Sequence, residues 1–228
     1  MKTRIIFLTF TFVISLILIP SNCCAQLSIK EAVNKISVSS VPFNVIKGLK
    51  LPSGYHSYSI NTGNTIPDKL YNNVQLTQHT SASVDPELGA VLFLKFAIPN
   101  SDKALIAVAF GHGYGGDETQ ILCVVNSNGT ILSTLEGTIM GKDVYVKQFR
   151  VPAQGKVIVT TIKPTSTTSI PFETCSNFSG YRQDITYTIN AQGQFIQSSV
   201  QTYKSKTYTS TYLSNKNINL WEGGETLQ

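Results

Sequence analysis

The chain has 228 residues, of which 42% are hydrophobic and only 14% are charged, against about 25% charged in an average globular protein. Its 18 basic and 13 acidic residues give a net charge of +5, and beyond Lys2 and Arg4 the bases are dispersed, Lys47 with Lys50 and Lys204 with Lys206 being among the closest pairs. This excludes the clustered basic footprint of a nucleic-acid-binding protein.

The first element is an export signal. Lys2 and Arg4 precede an apolar run over 5–19 that only Thr9, Thr11 and Ser15 interrupt, and Pro20, Ser21 and Asn22 end it. A basic start, an apolar centre and small residues at the exit are the order of a secretory signal. The run covers 15 residues, short of the roughly 20 that a spanning helix requires, and no later stretch is as long. The expectation is therefore an exported protein without a transmembrane span, placed in the periplasm, in the envelope or outside the cell. Cleavage after Ala25 would make Gln26 the first mature residue. Lipidation of Cys23 or Cys24 is the alternative, which would tether the chain to a bacterial envelope. Removing 25 of the 228 residues leaves 203, with a net charge of +3 because Lys2 and Arg4 go with them.

A short helical segment follows within 26–40. Ser28 and Glu31 have the spacing of a capping box, in which each side chain satisfies a free N–H of the first turn. Ile29, Ala32, Val33 and Ile36 then recur on one helical face, predicting a helix over 29–37. Pro42 and the Ser-rich, β-branched residues before it stop the helix.

The remainder, 41–228, reads as one β-rich domain. Runs at 91–98, 104–110, 120–125, 130–135, 144–151, 156–162, 184–189 and 194–203 are rich in Val, Ile, Phe, Tyr and Thr. Gly, Pro and Asn separate them, which is the signature of short strands and turns. In 144–151 neither alternating face is cleanly apolar, so the buried face is open at this point.

Two segments echo each other. At an offset of 53, Val91, Phe96, Pro99 and Lys103 coincide with Val144, Phe149, Pro152 and Lys156, each set reading as strand, proline-started turn, strand. At an offset of 64, Asn126 to Gly129 coincides with Asn190 to Gly193, each glycine supplying the positive φ of a bulged hairpin turn. The unit predicted is a four-stranded meander over about 91–143, repeated over 144–212, with a weaker trace at 49–54. A propeller requires more blades than this. The fold expected is mostly β, with antiparallel hairpin meanders in a sandwich or barrel-like arrangement and one short N-terminal helix.

Candidate chemistry is sparse. The glycine-rich stretch 111–118 holds His112, Asp117 and Glu118, an incomplete metal shell unless His56 or His79 joins it; the competing reading is a solvated hairpin loop. No cofactor motif occurs. Asp184, Glu173, Asp117 and Glu118 are the acids from which a glycosidase pair could be drawn, but no nucleophile elbow or zinc-helix motif accompanies them. Tyr208, Tyr212 and Trp221 lie in an aromatic C-terminal third. If 203–212 were one strand, Tyr208 and Tyr212 would share a face and could stack a sugar or partner chain. The alternative is that these aromatics pack between sheets and anchor the tail. Cys123 and Cys175 suit a single disulfide in an oxidising compartment, or two buried thiols. The function expected is an exported, non-catalytic module for binding or envelope assembly, with a glycan or an envelope protein as partner. A hydrolase of envelope or extracellular polysaccharide and a purely structural envelope protein are the alternatives.

Overall fold

The computed structural model describes residues 27–44, 58–61, 90–111, 118–140, 146–166, 176–215 and 217–228. The export segment, the weak third echo at 49–54, His112, Asp117 and Cys175 lie outside the described residues.

Among the described residues, twelve strands form one sheet. Three are short: β1 (Leu27–Ser28), β2 (Phe43–Asn44) and β3 (Tyr58–Asn61). Eight carry the architecture. They are β4 (Ala90–Ala97), β5 (Ala104–Gly111), β6 (Glu118–Val125), β7 (Ile131–Met140), β8 (Val146–Ala153), β9 (Lys156–Pro164), β10 (Asn177–Ile189) and β11 (Phe195–Thr202), and β12 (Lys206–Thr209) follows. From β3 to β11 each strand pairs with the next, while β2 lies beside β8 and β12 beside β10. The pairings are antiparallel except that of β1 with β3. A mostly β, antiparallel meander is what the turn spacing implied, and each of the eight runs read from the sequence contains a strand among the described residues.

The sheet turns back on itself between β7 and β8. These strands share only the rungs Ile139↔Lys147 and Met140↔Val146. Further along, β2 takes the edge of β8 at Val151 and Arg150. The half β3–β7 therefore faces the half β8–β11 across a common core. Phe96, Leu105, Ala107, Leu122 and Val124 meet Phe149, Val151, Val157 and Val159 there.

Each half is also covered outside. Helix α1 (Ile29–Lys35) has the capping box: Ser28 Oγ accepts from Glu31 N, and the Glu31 carboxylate accepts from Ser28 N at 2.8 Å. Its face, with Ala32 and Ile36, packs on Leu92, Ile106, Val108, Ile121, Cys123 and Val125. Lys95 Nζ donates to Val33 O at 2.7 Å, placing a cation near the negative end of the helix. Strands β4 to β6 are thus buried on both faces, which explains their nearly continuous apolar sequence. The other half is covered by helix α2 (Ser210–Ser214), by residues 217–228 and by the 3₁₀ turn Leu220–Glu222 within them. Leu213 and Leu220 pack there against Val146, Ile162, Phe178 and Tyr208. This resolves the two-faced pattern of β8: Phe149 and Val151 enter the central core, while Val146 and Gln148 are buried beneath the C-terminal segment.

The β6–β7 and β10–β11 turns have the same bonds. Gly129 N donates to Asn126 O, and Gly193 N to Asn190 O, each at 2.9 Å. Asn126 Oδ1 accepts from Thr130 N at 2.9 Å, and Asn190 Oδ1 accepts from Gln194 N at 2.8 Å. The glycines have φ of 81° and 82°, a region where a side chain is strained.

Two details differ from the sequence reading. Pro152 lies inside β8 beside a bulge between Arg150 and Ala153, and the turn is Gln154–Gly155; proline tolerates that place because no ladder donor is required at a bulge. Residues 203–212 are not one strand. Thr209 caps α2 by accepting from Tyr212 N at 3.0 Å, so Tyr208 is on a strand and Tyr212 on a helix.

Candidate functional site

The densest chemistry among the described residues is a charge network between β8–β10 and the C-terminal segment. Arg182 and Asp184 are two positions apart on β10, so both point outward from the central core. Arg150 on β8 and Thr160 on β9 point the same way. Asp184 Oδ1 accepts from Arg182 Nε at 2.9 Å and from Thr160 Oγ1 at 2.8 Å. Its Oδ2 accepts from Arg182 Nη2 at 2.7 Å and from Arg150 Nη2 at 3.2 Å. The Arg182 fork is therefore bidentate on Asp184, the strong geometry for this pair. Arg182 also lies 4.0 Å over the Tyr203 ring, and its Nη2 donates to Tyr203 Oη at 3.0 Å.

The same guanidinium reaches the tail. Arg182 Nη1 donates to Trp221 O at 2.8 Å and to Glu225 Oε2 at 3.1 Å. The Glu225 side chain is fully buried and also pairs with Lys206 Nζ at 2.7 Å. Tyr208 Oη donates to Glu225 Oε1 at 3.0 Å. Gln148 holds the tail backbone at two points, donating to Ile218 O at 3.0 Å and accepting from Leu220 N at 2.9 Å. The half-buried Trp221 ring sits 5.1 Å from the Arg150 guanidinium carbon, and Arg150 Nε has no partner.

The aromatics singled out in the sequence thus converge on one place, but not as a stacking surface. Tyr208 is only 2% exposed and stacks on Phe178 with centroids 5.8 Å apart, so its ring face is closed to a sugar. Tyr212 packs beside it at 6.2 Å. Trp221 sits where an anchor for the tail would sit. Asp184, weighed above as a hydrolytic acid, has its oxygens occupied by Arg182, Arg150 and Thr160. What the sequence reading missed is Arg182: its strand begins at Asn177, seven residues before the run recognised from composition. The readable signal was Arg182-x-Asp184 at strand spacing, with opposite charges side by side on one face.

Of the metal candidates, His112 and Asp117 lie outside the described residues, and for Glu118 the backbone alone, in β6, is described. No cluster of three metal-ligating side chains occurs among the described residues. Cys123 is fully buried under α1 and bonds to no cysteine among the described residues; burial pushes the pKa of its thiol up to about 12. Among the described residues, no helix is long and apolar enough to cross a membrane.

The network sets a pH window. Burial pushes the Glu225 carboxyl up, but hydrogen bonds and charge from Lys206, its own backbone N–H and Tyr208 outweigh this and hold it below its ordinary value. That stabilisation is complete above the ordinary carboxyl pKa of about 4.3 and is lost as pH falls through the lower folded value. Burial first, and the Glu225 carboxylate second, push the Tyr208 phenol above its ordinary range. That contribution is complete below the ordinary phenol pKa of about 10 and is lost as pH rises beyond it. The urea midpoint should therefore be level between these limits and fall on both sides. Glu225→Gln should flatten the acid arm and Tyr208→Phe the alkaline arm. Unchanged arms in both variants would show that other groups set the window.

Comparison with family models, with curated proteins and with solved structures finds no match to this chain.

Proposed function

We propose that the chain is an exported, non-catalytic assembly module that joins copies of itself through the outer edge of β11. The observation that carries this is at the end of that edge. Leu227 forms an antiparallel bridge with Tyr203. Gln228 N donates to Thr202 O at 3.1 Å, and Lys204 N to Thr226 O at 2.8 Å. The edge thus accepts an extended segment of the chain's own sequence, and along 195–201 no described strand other than β10 pairs with β11.

Composition and topology support the reading. Between Phe195 and Thr202 there is no charge and no proline, the residues with which terminal strands are ordinarily protected from pairing. An uncharged strand meets a second copy of itself without like-charge repulsion. Ile196 and Val200 on it are 45% and 44% exposed. We read β4–β7 and β8–β11 as two copies of one unit, supported by their equal strand order and by the matching β6–β7 and β10–β11 turns. In the first copy the fourth strand, β7, is followed by β8; in the second, the fourth strand is β11, and the next strand would come from another molecule.

Light scattering of the mature chain tests this. Wild type should form oligomers with rising concentration, and Gln197→Lys with Ser199→Lys should remain monomeric with an unchanged circular dichroism spectrum. Monomeric wild type, or doubly charged chains that still associate, would refute the assembly reading. Intact mass of the exported protein checks the export proposal through loss of residues 1–25, against an added lipid on Cys23 or Cys24. The mass gain on reduction reads out a Cys123–Cys175 bond.

A further inference from the structure

The face of β8–β10 and β12 that holds residues 217–228 has the features of a peptide-binding groove. It grips the segment mainly by its backbone. Gln148 takes Ile218 O and Leu220 N, Arg182 takes Trp221 O, and Lys206 Nζ donates to Gly223 O at 2.5 Å. Thr202 and Lys204 complete a short ladder with Thr226 and Gln228. Two side chains are fully enclosed: Leu220 in the apolar cluster with Val146, Ile162 and Leu213, and Glu225 between Arg182 and Lys206. Backbone bonds for affinity with spaced side-chain anchors for selection is how grooves and sheet edges recognise extended peptides.

We infer that this groove is a recognition site for a peptide of the form Leu-Trp-Glu-Gly-Gly-Glu, and that in the assembly the peptide is residues 217–228 of a second copy. The inference rests on the β11 reading, since the exchanged segment ends on that same edge, and it names what crosses between the copies. Exchange of an identical element requires no new contacts, because each groove keeps the ligand it has within one chain. A tethered segment has an effective concentration in the millimolar range for a short linker. Exchange should therefore become substantial only when copies are crowded, as on a surface or within a growing assembly.

The test uses the full chain with a protease site replacing residues 215–217. After cutting, the body should keep its sheet spectrum and release the tail on dilution. A labelled synthetic peptide of residues 217–228 should then bind saturably. Glu225→Gln or Leu220→Ala in the peptide should weaken it by about tenfold or more, as expected for an anchor worth at least about 1.4 kcal/mol, whereas Thr226→Ser should not. Loss of the sheet on cutting, or a peptide that does not bind, would show that the segment is ordinary core. In uncut chains, a donor dye on the body of one copy and an acceptor on the tail of another should develop energy transfer on mixing; none at high concentration would overturn exchange. If the doubly charged β11 variant is monomeric and wild type is not, yet the peptide fails to bind, the edge reading stands and the tail inference falls.

Discussion

Replacing Asp184 by alanine should destabilise the chain by about 3–5 kcal/mol, the usual cost of leaving a buried charge without its partner. Asp184 and Arg182 are 2% and 5% exposed, and Asp184 is the carboxylate shared by Arg182 and Arg150. Without it, two guanidinium groups face each other beneath the tail with Glu225 as the remaining acid in contact with Arg182. Arg182 would have to turn towards solvent, taking its bonds to Trp221 O and Glu225 with it. Urea denaturation should show the fall in midpoint, and chymotrypsin should cut at Trp221 in the variant well before it cuts wild type. A paired replacement, Arg182→Met with Asp184→Leu, should recover much of the global stability, because a buried ion pair is weak support compared with apolar packing. It should not restore protection of Trp221, since the tail contacts of Arg182 remain lost. Equal stability and equal protection in Asp184→Ala would show that the network is incidental.

Phe149→Ala should cost a similar amount, about 3–5 kcal/mol, through cavity formation. Phe149 is fully buried at the centre of the core between the two halves. Gly137 on β7 lies against it, where an added Cβ would stand 2.8 Å from the ring edge and 3.2 Å from Leu122. Gly137→Ala alone should therefore destabilise by about 1–3 kcal/mol by overpacking. Combined with Phe149→Leu it should cost less than the sum, because the smaller side chain vacates the space the methyl requires. The double-mutant cycle measures this coupling; strict additivity would mean that the two halves do not meet at this contact.

The strands were legible because both faces of β4, β5 and β6 are enclosed, which forces apolar runs between Gly, Pro and Asn that no helix would share. The helix was legible through Ser28 and Glu31, a purely local device. The turn glycines at 129 and 193 were legible for the same reason. The site was not. Arg182, Asp184, Glu225 and Gln148 come from distant parts of the chain, and nothing local distinguishes Glu225 from a solvated acid. Whether Tyr208 and Tyr212 share one strand was not legible, because alternation cannot register that Thr209 caps a helix. Their grouping near Trp221 was visible; that the grouping closes over a carboxylate was not.

The two outer layers differ in when they become available. A chain is synthesised N-terminus first. Helix α1 precedes the strands it covers, so the apolar outer face of β4–β6 has its lid waiting as it forms. The face of β8–β10 has to wait for residues 217–228, which follow all of its strands. That face carries Gln148, Arg150, Thr160, Arg182 and Asp184, groups that water can hold until the tail arrives. These polar groups thus confine the oily part of the late-closing surface to the patch around Val146, Ile162 and Phe178 that Leu213 and Leu220 later cover.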